Sequence, residues 1–98
     1  MREWPFLEDE QAAVITLRAI MDGTAPILHV THDSDDGRWE FLGWEAPAVA
    51  EATVAALREV VERDPSVAEL ADLPRGWHAW RTTVDSPWIR EPNPDDAE

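Results

Sequence analysis

Cysteine is absent from these 98 residues, which excludes disulfides, thiolate nucleophiles and cysteine-ligated zinc and leaves nothing that requires an oxidising compartment. Lysine is absent as well. All eight bases are arginine, whose planar fork favours bidentate contacts, although a coding bias accounts for the uniform usage more simply. No stretch approaches the roughly 20 apolar residues that a membrane helix needs. Met1 to Phe6 runs into Glu8-Asp9-Glu10 rather than into an apolar signal-peptide region. A cytoplasmic protein without a membrane span or export signal is expected. Glycine-rich phosphate loops and nucleophile elbows are also missing.

What the chain does have is negative charge. Twenty-one acids face eight bases for a formal charge of -13, which disfavours unaided binding to nucleic acid or anionic lipid and makes a basic protein the natural partner. With 44% apolar residues, the length suits one modest core. Residues 1–11 are expected to form an N-terminal segment, 12–90 a single domain, and 91–98 a disordered acidic tail.

Along the chain, Ala13 to Thr16 reads as a strand followed by a turn of helix that ends at Asp22-Gly23. From Ile27 to His32 the residues alternate, with Leu28, Val30 and His32 sharing one face and Ile27, His29 and Thr31 the other; Leu28 and Val30 are expected to point inward. Trp39 and Phe41 share a face of the next strand, and the polar residues between, ending in Asp36-Gly37, make a hairpin loop. Pro47 to Arg63 is Ala-rich, and Val54, Leu57, Val60 and Val61 have helical spacing, which predicts the principal helix. Asp64 can cap a short second helix opened by Pro65, and Ser66 with Glu69 has the spacing of a capping box. After the Leu73-Pro74-Arg75-Gly76 turn, Trp77–Arg81 and Trp88–Arg90 read as a closing hairpin. The predicted fold is therefore α+β, a small antiparallel sheet covered on one face by one main helix and a short second helix. Most of the six tryptophans are expected to pack the core or its rim.

The densest chemistry lies in His29, His32, Asp33, Asp35 and Asp36. Imidazole and carboxylate together can ligate divalent ions, but residues three apart on a strand face opposite sides, so His29 and His32 cannot chelate one ion without a bulge and only His32 with the loop aspartates could converge. An EF-hand register anchored on Gly37 puts His32 first, Ser34 third and Gly43 last, which removes the required acids. No metal and no cofactor are expected. Acid-base catalysis would need His32, Asp33 and Asp36 to converge, with His78 brought near by sheet pairing. The competing expectation is a non-enzymatic acidic surface. In it Asp33, Asp35, Asp36 and Glu45 pair with bases of a partner, and Trp44 supplies an apolar anchor.

Taken in order, Pro26-Ile27-Leu28-His29-Val30-Thr31-His32-Asp33, Asp36-Gly37-Arg38-Trp39-Glu40-Phe41-Leu42, Asp64-Pro65-Ser66-Val67, Leu73 through Arg81 and Trp88 resemble a small bacterial domain-of-unknown-function family. That family is similar in pattern to the immunity proteins of polymorphic toxin systems. The likeness covers most of residues 12–90, and Arg38 stands where the immunity pattern tends to have Gly directly before the Trp. The resemblance implies an α+β fold, no known activity, a role in neutralising a toxin, and a short strand near Thr53 ahead of the main helix.

Overall fold

In a computed structural model of the chain, which describes residues 4–43 and 51–92, six strands form one mixed sheet. The elements are β1 (Ala13–Leu17), α1 (Arg18–Met21), β2 (His29–His32), β3 (Trp39–Leu42), β4 (Ala52–Ala56), α2 (Leu57–Arg63), a 3-10 helix (Pro65–Leu70), β5 (Trp77–Trp80) and β6 (Ile89–Pro92). The strand order is β4-β1-β3-β2-β5-β6. This corrects the expectation of a small antiparallel sheet under one main helix, because β1 and β3 run parallel, in the register Ile15 opposite Glu40. Parallel neighbours usually need a long crossover. Here two reversals replace it: β2 lies antiparallel to β3 but one place beyond it, so β3 fills the gap beside β1 and points the same way. Buried Thr16 ties that pair, its hydroxyl donating to the Phe41 carbonyl at 3.0 Å.

The long helix over 47–63 is the second correction. Its described part divides into β4 and the seven-residue α2, so the strand near Thr53 is present and, among the described residues, only one helix reaches seven residues. Alanine favours helix by a few tenths of a kcal/mol per residue. A ladder of five pairs against β1, from Ala13–Ala56 to Leu17–Ala52, outweighs that preference. Val54, the first member of the supposed apolar stripe, is consequently 64% exposed on the strand. Helix α2 starts where β4 ends, with Leu57 N–H donating to the Ala12 carbonyl and Arg58 N–H to that of Glu10.

Period-two alternation assigns the faces. Val14 and Thr16, Val30 and His32, Trp39 and Phe41, and Ala79 are buried on one face. There they meet Ile20, Leu57, Val60, Val67, Leu70 and Leu73 in a single core. Ile27 is buried just before β2 while Leu28 is only half-buried, the reverse of the expected pairing, because the regular alternation begins at His29. Phe6 also belongs to the core, edge-on to Trp39 at 5.3 Å between ring centroids. Trp4, Trp77 and Trp88 pack around its rim. The opposite face carries Ile15, His29, Thr31, Glu40, His78 and Glu91, and the buried helical side chains all lie on the other side.

The second helix is a 3-10 turn capped by Asp64, whose Oδ1 accepts from Ser66 N–H at 3.1 Å. Ser66 is not the cap. Its own hydroxyl donates to Asp64 at 2.7 Å, so the Ser66–Glu69 spacing does not make the expected box. No described helix is long and apolar enough to cross a membrane.

Candidate functional site

The parallel pairing puts the first residues of β1 and β3 at the same end of the sheet, and β2 ends there too. Two acidic segments far apart in sequence, Glu8-Asp9-Glu10 leading into β1 and Asp33, Asp35 and Asp36 in the β2–β3 turn, therefore lie toward the same end of the sheet. Asp33, Asp35, Asp36, Asp9 and Glu10 are exposed. Arg38 and Arg75 lie at the β2–β3 turn, and Arg38 Nε is already 3.8 Å from Asp36 Oδ2.

Turn chemistry explains the β2–β3 loop. Asp33 N–H donates to the Arg38 carbonyl at 2.9 Å, and Asp33 Oδ1 accepts from Asp35 N–H at 2.7 Å. Asp36 Oδ1 accepts from Arg38 N–H at 2.8 Å. Gly37 has φ 72°, the left-handed region that an L side chain resists. The Arg75 guanidinium lies directly over its Cα. These turn bonds use Oδ1 of Asp33 and of Asp36, while Asp36 Oδ2 is the oxygen near Arg38.

Beside Glu8 is a cleft of about 380 Å³ lined by Leu7, Glu8, His32, Ala71, Asp72, Leu73, Pro74 and Arg75. His32 forms its inner wall at 8% exposure, stacked on Trp39 with 4.0 Å between ring centroids. Its Nδ1 is 2.7 Å from the Leu73 carbonyl. A carbonyl only accepts, so Nδ1 carries the proton and Nε2 presents the lone pair of the neutral ring. That Nε2 is buried with no hydrogen-bond partner among the described residues, and Glu8 Oε2 stands 3.7 Å away. The Glu8 backbone is fixed by Trp4 Nε1, which donates to its carbonyl at 2.7 Å. Leu7 on the rim is 99% exposed. Asp72 takes the Arg90 guanidinium, which holds its carboxyl below the ordinary carboxylate range.

The expected histidine constellation divides between the two faces. His32 lies on the core side and meets Glu8, not Asp33 or Asp36. His78 is brought by sheet pairing to His29 on the other face, Nδ1 to Nε2 at 3.0 Å, with Glu91 at 3.9 Å from its Nε2. Among the described residues no group of three or more His, Asp or Glu side chains is placed to hold a metal ion. Trp44 and Glu45 lie outside the described residues. Sequence reading missed Leu7, Glu8 and Arg75 as parts of a site. The signal was the Glu8-Asp9-Glu10 run, which counted only against a signal peptide.

A second cavity of about 460 Å³, lined by Met21, Glu59, Glu62 and Arg63, has no buried polar group aimed into it. Compared with protein-family models, curated proteins and solved structures, the chain finds no match.

Proposed function

We propose that this chain is a non-enzymatic acidic binding module, an immunity-like inhibitor that docks a basic partner protein on the end of the sheet bearing the cleft. The observation that carries the reading is the placement of Glu8, Asp9 and Glu10 and of Asp33, Asp35 and Asp36 toward one end of the sheet, where Glu8 approaches His32. Carboxylates gathered from separate segments produce a local field that steers a cationic surface and raises its association rate. Leu7, fully exposed at the cleft rim, supplies the apolar anchor that a purely electrostatic encounter lacks. Binding there occludes the partner's basic surface without any chemical step. The splitting of His32 from His78 supports a docking role over an acid-base one, since a general base must lie within hydrogen-bond reach of its partner.

The test uses charge neutralisation that spares the fold. Asparagine at 33, 35 and 36 keeps the Oδ1 acceptors of the turn. Binding to basic proteins encoded beside this one is measured against salt. The triple variant is expected to lose about tenfold or more in affinity and to flatten the salt dependence. Neutralising Asp22, Glu62 and Asp85, away from the cleft, should change affinity much less. Equal losses from the two triplets would reduce the interaction to net charge and reject the docking end.

A further inference from the structure

We propose that the Glu8–His32 cleft is a receptor for a primary ammonium group, the ε-ammonium of a lysine on the partner. This rests on the docking reading above and gives it a chemistry. In the neutral ring His32 Nε2 is an acceptor, because the Leu73 carbonyl has fixed the proton on Nδ1. Across from it is a second acceptor, Glu8 Oε2, 3.7 Å away. Two lone-pair groups facing each other at that distance, one of them buried and unpartnered, call for a donor between them. Once the partly exposed Glu8 side chain swings outward to uncover Nε2, a nitrogen about 2.8 Å from both satisfies the two at once and carries the charge that Glu8 complements. An ammonium places its donors on one atom with tetrahedral spread, which suits two converging acceptors. A guanidinium fork directs its parallel donors at the two oxygens of a single carboxylate.

The rest of the cleft fits an alkyl chain ending in such a group. Leu7, Ala71, Leu73 and Pro74 offer apolar walls to the methylenes. Asp72 is already engaged by Arg90, so Glu8 is the lining carboxylate available to an incoming cation. Arg75, seated on Gly37 at the rim, is the opposing charge. Its removal should tighten binding, a change that a merely structural role for the cleft would not produce.

The probe is Nα-acetyl-lysine N-methylamide added to the full chain, followed by the nitrogen resonances of the His32 ring and by backbone amides. Saturable movement of the His32 Nε2 resonance is expected, with a dissociation constant on the order of 1 mM. Glu8→Gln, which leaves the Trp4 contact to the Glu8 carbonyl in place, should weaken binding at least about fivefold. Arg75→Ala should strengthen it about threefold. The trimethylated lysine analogue keeps the charge but has no N–H, and should leave the His32 resonance unmoved. If it moves that resonance equally, the bridging donor is rejected. If the probe shifts Asp33 to Asp36 amides but never His32, the cleft receptor fails while the acidic docking end stands. If it shifts neither, and basic partners do not bind, the docking reading fails as well.

Discussion

His29 Nε2 lies 3.0 Å from His78 Nδ1 on the sheet face away from the helices, with the rings edge to face at 87°. One ring must donate and the other accept, an arrangement that survives only while at least one imidazole is neutral. Burial, then the neighbouring His78, holds the His29 pKa below its ordinary 6.5, with Glu40 opposing. The unfolded chain therefore takes up this proton at higher pH than the folded one does, so stability is full above about pH 6.5 and is lost as pH falls below it. Urea unfolding at about pH 7.5 and about pH 5 should show this loss in the natural chain and a smaller one in His29→Gln. Equal losses would remove His29 as the source.

Asp64 and Arg81 form a partly buried ion pair. Arg81, 2% exposed, donates Nε and Nη2 to the Ile27 carbonyl at 3.0 and 2.9 Å and Nη2 to Asp64 at 2.7 Å, and its guanidinium lies over Trp88 at 4.1 Å. Removing Asp64 strands a buried cation and uncaps the 3-10 helix. Asp64→Ala should cost about 3 kcal/mol, the low end for a broken buried pair because Asp64 is partly exposed. Asp64→Asn, which keeps the cap acceptor, should cost less. Arg81→Lys should not be conservative, since one ammonium cannot clamp Ile27 and reach Asp64 in the same way. Chemical unfolding of the three variants gives the order.

Phe6 joins the N-terminal segment to the domain. Phe6→Ala is expected to cost about 3 kcal/mol, and to loosen Leu7 and Glu8 with it. Thermal unfolding measures the first effect and the lysine-probe titration the second. An unchanged melting temperature would mean that Phe6 adds nothing to the core.

Gly37→Ala forces a side chain into the left-handed region and against Arg75, whose guanidinium atoms lie 2.6 to 2.8 Å from the position of the added carbon. Arg75 is flexible and can swing away, so the cost should be the backbone share, about 1 kcal/mol. A double-mutant cycle with Arg75→Ala should show weak coupling. Strong coupling would show that Arg75 is held in place over the turn.

The amino-acid order by itself determined the features whose physics is local. Alternation puts Trp39 and Phe41 on one face because successive strand residues point opposite ways. Asp36-Gly37 bends the chain because glycine adopts positive φ freely. Asp64-Pro65 starts a helical turn because a carboxylate can cap it and proline presets its first residue. The same strand rule separated His29 from His32.

Only the tertiary structure decided who stands beside whom. Ala52 to Ala56 is a strand because β1 offers it a ladder, and no count of helix propensity contains that partner. The parallel pairing of β1 with β3 follows from β2 taking the place beyond β3, and it brings Glu8 and His32 to the same end of the sheet. Arg81 could be read as one more surface base until Ile27, Asp64 and Trp88 enclosed it. Each of these contacts joins residues distant in sequence. Their energy depends on burial and on the partner's geometry, which exist only once the sheet has closed.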